Sequence, residues 1–275
     1  MKPVLAALCA SLLCGCIAVP GAMDEDHLAR STPLITGEVF PALDAGANEQ
    51  QSLHFLVRAY GSGKAIQVAD IAEASYQRIM VDTGLSSFRP LGGLYKIVIY
   101  ANAEEYRRKT GQPSWSGGLS VGNSIYSYEG AQLEGILAHE MTHLIFFEYM
   151  GHSNPEQRWV NEGLAVYEES KAGQPSSGGA APPLAAWPAG WQPLTMETMT
   201  RMIPASERER TVSDWYRQAL SMVRFMIERG GRIGFSQFLS GLRTDTPFDK
   251  AIADAFPGVW RDLADFYSSW SKAQQ

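Results

Sequence analysis

The sequence predicts an α+β protein in which a small mixed β-sheet comes first, a central pair of helices follows, and the C-terminal half is all helical. Runs typical of strands, such as YKIVIY at Tyr95–Tyr100, lie before residue 130. Beyond that point apolar residues recur with helical spacing, and glycine or proline separates the segments. With 275 residues, of which 45% are hydrophobic, the chain can bury a sizeable core as one large domain or two small ones.

The first 15 residues have the pattern of a secretory signal peptide. Met1–Lys2 supplies a positive start, and Val4–Leu13 is an apolar run too short to span a bilayer. The next stretch, Leu13–Cys16, resembles the lipobox of bacterial lipoproteins, although Cys14 is unusual at its position. The resemblance implies a signal peptide over residues 1–15 and a lipid on Cys16 that anchors the protein to a membrane. The alternative is an ordinary signal peptide cleaved a few residues later.

All three cysteines, Cys9, Cys14 and Cys16, lie in this N-terminal segment. The exported part is therefore expected to have no internal disulfide and no thiolate metal site. In bacterial lipoproteins an aspartate after the modified cysteine retains the protein at the inner membrane. Ile17 occupies that position, which implies the outer membrane, facing the periplasm.

Residues 16–51 are rich in alanine, glycine, proline and acidic residues, and we predict that they tether a folded domain at 52–275. Its first part, residues 52–170, carries the sheet and the helix pair. This part is predicted to begin with a strand at Leu53–Tyr60, an amphipathic helix at Ala65–Val81, a buried strand at Tyr95–Tyr100 and a short helix that Asn102 caps and that ends at Lys109.

A hairpin and the helix pair complete this first part. Gly117–Tyr128 is interrupted by glycines and predicts a hairpin, with Ile125–Tyr128 as its clearer strand. A long helix is predicted at Ala131–Tyr149. The second helix of the pair is expected to begin at Asn154–Pro155, an N-cap followed by proline at the first helical position, and to end near Ser170.

Residues 171–193 are dense in proline, glycine and serine, which predicts a loop without a regular element. Trp187 and Trp191 in this loop are interpreted either as lid residues over a cleft or as anchors of a surface loop. The remaining residues, 194–275, are predicted to be helical, with segments at Thr195–Ile203, Ser213–Arg229, Phe235–Leu242, Phe248–Phe256 and Val259–Trp270.

The long helix contains HEMTH in the middle of an oily stretch, where titratable groups are costly to bury without a partner. On a helix, His139 and His143 stand one turn apart on one face, and Glu140 points to the side of an open coordination position. Catalytic zinc typically takes three protein ligands. Glu162 is the candidate third ligand, because the 18 residues between His143 and Glu162 suffice to end one helix and return along a second. Gly163 is expected to let the helices approach closely at the ion.

This pair of motifs resembles the gluzincin metallopeptidases, and among them the peptidase MA-like domains, in which HExxH is followed by a helix with (W)(L/V)NEG(L/F)A. The resemblance covers Tyr95–Gly231, with Asp214–Gly230 similar to the helix that comes next in that family. It implies one Zn²⁺ ion bound by His139, His143 and Glu162.

Related zinc folds differ in the residues that come after the motif. Metzincins require a glycine and a third histidine, whereas this chain has Phe146 and Tyr149. Thermolysin-like enzymes usually place an aspartate four residues after the ligand glutamate to orient a histidine, but here that position is Val166. Glu168 and Glu169 are the candidates for that orienting role. The GAMEN-type motif of aminopeptidases is absent, so exopeptidase activity has less support.

The expected chemistry is hydrolysis of internal peptide bonds in a peptide or protein substrate. Zn²⁺ would lower the pKa of its bound water to about 7, and Glu140 would accept the proton of that water and pass it to the leaving amine. By analogy with gluzincins, a tyrosine or histidine on a later helix stabilises the oxyanion. Tyr216 is the candidate, and a tyrosine with no functional role is the alternative. The strand Ile125–Tyr128 has the position of the edge strand that aligns substrate in this family.

Two other functions fit part of the sequence. Gly118–Gly122 matches the G-x-S-x-G elbow of α/β-hydrolases, but that fold needs a helix after the serine and a later histidine, and the last histidine is His152. A non-catalytic envelope lipoprotein with a binding or scaffolding role is the other alternative, although a structural metal site has no use for Glu140. The net charge of −6 and the lack of a long basic run argue against nucleic acid as a partner.

Overall fold

The computed structural model describes residues 39–85, 93–173, 181–202 and 209–274. Cys16 and the predicted signal peptide lie outside these residues. The predicted tether ends too late, because residues 47–51 form strand β1 (Ala47–Gln51), which pairs with the next strand. Its sequence ANEQQ lacks the apolar alternation of a strand since β1 is an exposed edge held by main-chain pairing.

Five strands within the described residues form one mixed sheet in the order β1-β2-β3-β5-β4, which confirms the predicted α+β class. The three inner strands are parallel to one another, and each edge strand is antiparallel to its neighbour. The strands after β1 are β2 (Phe55–Tyr60), β3 (Tyr95–Tyr100), β4 (Gly118–Val121) and β5 (Ser124–Tyr128).

The helices follow the predicted order, and most of them lie after the sheet. Within the described ranges they are α1 (Ser62–Thr83), α2 (Ala103–Thr110), α3 (Leu133–Met150), α4 (Arg158–Ser170), α5 (Met196–Arg201), α6 (Glu209–Arg243), α7 (Phe248–Ala255) and α8 (Leu263–Ala273). Helix α6 is broken at Gly231, whose φ of 76° and ψ of 160° are not helical. The break lies next to the predicted end of the helix Ser213–Arg229. In the described part of the chain, every helix is too short or too polar to cross a membrane.

Strand β3 is buried on both faces of the sheet, as its uninterrupted apolar run predicts. Ile97 and Ile99 belong to the main core, which also contains the apolar side chains of α1 and α3. Val98 and Tyr100 point to the opposite face and pack with Tyr106 of α2. Helix α3 lies against β4 and β5 on the main-core face of the sheet.

Helix α4 packs between α3 and α6. A Cβ atom added at Gly163 would lie 2.5 Å from the carbonyl oxygen of Ala219 on α6. The expectation that Gly163 brings α4 close to α3 is therefore wrong, since this glycine brings α4 close to α6. Successive residues of a helix are rotated by about 100°, so Glu162 and Gly163 face different neighbours.

The described part of the proline-rich loop, residues 181–193, has no regular element, as predicted. Trp187 and Trp191 stack on each other with ring centroids 3.6 Å apart, and the Arg217 guanidinium of α6 lies 4.0 Å from the Trp187 ring. The indole nitrogen of Trp187 also donates to Gln274 Oε1. These contacts fit the interpretation of the two tryptophans as loop anchors.

Candidate metal centre

The three predicted ligands converge in the structure. Glu162 Oε2 lies 3.9 Å from His139 Nε2 and 3.7 Å from His143 Nε2. The two imidazoles stand nearly perpendicular, with their centroids 4.7 Å apart. One ligand atom from each residue lies within 4.8 Å of the others, and all three side chains are buried. The three donors therefore surround a single space.

The chain positions these donors with two helices that run in opposite directions. Helix α3 ends at Gly151, which takes a left-handed φ of 72° as C-cap, and the Asn154 side chain accepts the Glu156 N–H to start the 3₁₀ turn before α4. His143 contacts Asn161 and His139 contacts Glu169, so residues later in α4 contact residues earlier in α3. This pattern is that of an antiparallel pair, as the sequence predicts.

A second layer of side chains orients the two imidazoles. His139 Nδ1 donates to Glu169 Oε2 at 3.0 Å, and His143 Nδ1 donates to Asn161 Oδ1 at 3.0 Å. Because each Nδ1 donates, Nε2 is the ring nitrogen that faces Glu162 and would bind a metal, once the metal displaces the second proton of His139. Glu169 is one of the two residues predicted for this role. The other, Glu168, makes no such contact and instead accepts from Arg78.

Sequence reasoning missed Asn161. The signal was present, because Asn161 directly precedes the ligand Glu162 in the NEG segment. A helical neighbour of a ligand lies on an adjacent face, about 100° away, and can reach the outer side of an imidazole. The spacing alone does not show which imidazole it contacts.

The electrostatics of the cluster favour a cation. Burial lowers the pKa of the His139 imidazole, because it disfavours the charged form. The hydrogen bond with Glu169 and the negative charges of three carboxylates outweigh burial and raise the pKa of His139 to about 10. These carboxylates belong to Glu169, Glu140 and Glu162. The site therefore carries surplus negative charge, and a metal ion would displace the proton.

The donor set fits Zn²⁺. Imidazole nitrogen and carboxylate oxygen bind zinc at about 2.0–2.2 Å, which in a tetrahedral site separates donors by roughly 3.4 Å. The observed separations of 3.7 and 3.9 Å exceed this value by a few tenths of an ångström. Such a difference lies within a small adjustment of side-chain torsions.

Glu140 lies beside this cluster with a carboxylate oxygen that lacks a hydrogen-bond partner. The side chain is buried, and Oε2 has no partner in the part of the chain that the structure describes. Most buried polar atoms are hydrogen-bonded, so an exception of this kind calls for an explanation. A substrate or water that binds at the site would supply the missing partner.

Tyr216 lies on α6, half-buried, with its ring edge-on to Trp215 at 5.1 Å between centroids. Tyr216 lies about one helical turn before Ala219. The carbonyl of Ala219 packs against Gly163, the residue that follows Glu162. The oxyanion role of Tyr216 stays a prediction.

The predicted edge strand is wrong. Ile125–Tyr128 belongs to β5, which pairs with β3 on one side and with β4 on the other. The edge is β4, which lies next to α3. Four of the five residues of β5 are buried, as expected of an inner strand that is covered on both faces.

The structure does not provide the setting of a nucleophile elbow at Gly118–Gly122. Strand β4 is followed by a turn at Gly122, with φ of 60°, and by strand β5, whereas the elbow needs a helix. His152, the last histidine of the chain, pairs with Asp245 at 3.0 Å. The G-x-S-x-G match is therefore part of a β-hairpin.

Neither a comparison with protein-family models nor a comparison with curated proteins finds a match for this chain. A function for this chain is therefore inferred from the geometry and chemistry of the site.

Proposed function

We propose that the protein is a zinc-dependent metallopeptidase of the gluzincin type that cleaves internal peptide bonds. The observation that carries the proposal is the combination of three convergent donors with the buried side chain of Glu140, whose Oε2 has no partner among the described residues. A purely structural metal site needs the donors alone. A carboxylate held next to them without a partner is what general-base catalysis requires.

Each residue has a role in this chemistry. His139, His143 and Glu162 would hold the ion. When bound, Zn²⁺ lowers the pKa of a water molecule and polarises the scissile carbonyl. Glu140 removes a proton from the attacking water and returns it to the leaving amine, so the carboxylate ends each cycle as it began.

The position of β4 at the edge of the sheet supports cleavage within a chain. Among the strands that the structure describes, β4 pairs with β5 alone, and Gly118 of β4 packs against Glu140. An extended peptide can pair with such an edge through main-chain hydrogen bonds, which require no free terminus. An endopeptidase is therefore favoured over an exopeptidase.

The N-terminal sequence places this activity outside the cytoplasm in our proposal. A lipid on Cys16 would anchor the enzyme to the outer membrane, and residues that precede β1 would serve as the tether. The substrate would then be a peptide or protein of the periplasm.

Metal removal tests the proposed function. We expect the purified protein to contain about one zinc ion per chain and to cleave members of an unbiased peptide library. A chelator should abolish cleavage, and added Zn²⁺ should restore it, because the ion supplies the activated water. Cleavage that resists chelation but is blocked by a serine-directed fluorophosphonate would identify a different class of hydrolase. Zinc binding without cleavage of any peptide would favour the non-catalytic alternative.

The Glu169→Gln variant is expected to weaken zinc binding by about 10- to 100-fold. Glutamine keeps the size of the side chain but removes the negative charge of the group that accepts the hydrogen bond from His139 Nδ1. Competition with a chromophoric chelator measures the affinity. Glu156→Gln is the matched control, because Glu156 is exposed and lies in the turn before α4. Equal affinities for Glu169→Gln and the wild type would show that the imidazole does not need a negatively charged partner.

A further inference from the structure

Strand β4 crosses the Glu140 side chain at Gly118. A Cβ atom added at Gly118 would lie 2.6 Å from Ile136 Cγ2 and 3.1 Å from Glu140 Cγ. Carbon atoms in favourable contact are about 3.5–4.0 Å apart, so a methyl group must displace both neighbours, Ile136 further than Glu140. Gly118 does not have a positive φ, and hence the backbone does not require glycine here. Glycine is needed at position 118 because there is no space for a side chain.

The strand is held in place at this point. Ser116 Oγ donates to the Gly118 carbonyl at 3.0 Å, and Ser127 Oγ donates to the Gly117 carbonyl at 2.8 Å. The Tyr106 hydroxyl lies 2.9 Å from Ser116 Oγ and continues this buried network. A methyl group at position 118 therefore cannot be accommodated by a simple outward shift of β4.

The displacement would fall on the side chains of α3. Ile136 is buried and makes the closer contact, whereas the Glu140 carboxylate has an oxygen without a partner in the described residues. The 3.1 Å contact with Glu140 Cγ remains even where Ile136 gives way, so the Glu140 side chain must shift as well.

We infer that Gly118 is a positioning residue for the general base, because its missing side chain leaves the room in which Glu140 aims its carboxylate beside the metal ligands. This inference rests on the proposed function. It also gives the glycine of the G-x-S-x-G match a physical role that has no connection with a serine nucleophile.

The kinetic test uses the Gly118→Ala variant of the full chain. We expect kcat to fall by about 3- to 10-fold, since a misplacement of about 1 Å can cost about 100-fold and the contact with Glu140 Cγ requires a shift of a few tenths of an ångström. KM and zinc content should stay within about twofold, because no ligand is changed. The pH midpoint of the visible spectrum of the Co²⁺-loaded protein should shift, since it responds to the charge beside the metal. Gly63→Ala is the control, because Gly63 is exposed and a Cβ atom there meets nothing within 4 Å.

A second variant separates positioning from packing. Gly118→Ala combined with Ile136→Ala removes the 2.6 Å contact but keeps the contact with Glu140, so kcat should stay low while the urea midpoint recovers. In metal-free protein, Gly118→Ala should lower the urea midpoint less when Glu140 is replaced with alanine, because the methyl group then has room.

Two results would overturn the inference: wild-type kcat in Gly118→Ala, or full recovery of kcat in the double variant. A wild type that binds zinc but cleaves no peptide refutes the proposed function instead. In that case the metal-free unfolding cycle still decides whether residue 118 presses on Glu140, and equal midpoint losses in both backgrounds would reject the contact.

Discussion

The Glu140→Gln variant is expected to bind one zinc ion per chain and to lose a factor of about 10²–10⁴ in kcat for peptide hydrolysis. Glutamine fills the same space next to Gly118, but its amide cannot accept the proton of the attacking water. Glu140 is not among the three residues whose donor atoms converge, so metal binding should be unaffected. Zinc content by elemental analysis and initial rates with the best library peptide measure the two effects.

Glu134→Gln is the matched control for this experiment. Glu134 lies on the same helix, and its carboxylate accepts the Gly173 N–H at 2.5 Å, away from the ligand cluster. We expect this variant to retain wild-type kcat. Equal turnover in Glu140→Gln and the wild type would contradict the proposed mechanism, and loss of zinc from Glu140→Gln would show that Glu140 is a ligand.

The metal cluster could be predicted from the sequence because its signals are local. A spacing of four residues on a helix fixes the relative position of His139 and His143. The return of the chain to Glu162 needs only an interhelical connection of ordinary length. Likewise, the YKIVIY run contains enough apolar side chains to indicate a strand buried on both faces, and β3 has these bounds.

Other features depend on contacts between distant segments, which no local pattern encodes. Strand β1 is polar, and its pairing with β2 defines it. The order of β4 and β5 depends on which of them pairs with β3. Gly163 is a small residue in a helix, and its sequence context does not reveal that α6 is the element it approaches. Local periodicity therefore predicts elements and faces better than it predicts neighbours.

A buried group of charges near the end of α4 is a further feature that the sequence does not indicate. Glu168 accepts a hydrogen bond from Arg78 Nε at 3.1 Å, and Lys171 pairs with Asp82, with all four side chains almost fully buried. Arg232, partly exposed on α6, also pairs with Asp82, at 2.8 Å. These contacts join α1, the end of α4 and α6. Glu169, the partner of His139, follows Glu168 directly, so the group also fixes the helix end next to the metal site.

Replacing Arg78 with methionine is expected to lower the free energy of unfolding by about 3–5 kcal/mol, because Glu168 would remain buried without the guanidinium that donates to it. Urea unfolding of the metal-free protein measures this loss. Glu168→Gln is the reciprocal variant: its amide oxygen can still accept from Arg78 Nε, but the buried guanidinium loses its counter-charge, so this variant should also lose stability. The double variant should be more stable than the sum of the two single losses predicts, because it removes both charges of the pair.

The loss of unfolding free energy in Arg78→Met should also depend on pH, in a direction that the protonation of Glu168 determines. Burial and the charge of Asp82 raise the pKa of Glu168 from 4.5 to about 7, even though Arg78 lowers it. Without Arg78 this pKa rises further, so above about pH 7 the folded variant keeps a proton that the folded wild type releases.

The difference in stability between the variant and the wild type is therefore smallest below about pH 7, where Glu168 is protonated in both folded proteins, and it grows as the pH rises above that value. On the Glu168→Gln background this dependence should vanish, because no carboxyl group remains to titrate at that position. A difference that is the same at pH 5 and pH 8 in the presence of Glu168 would show that the loss comes from the packing of the Arg78 side chain and not from its charge.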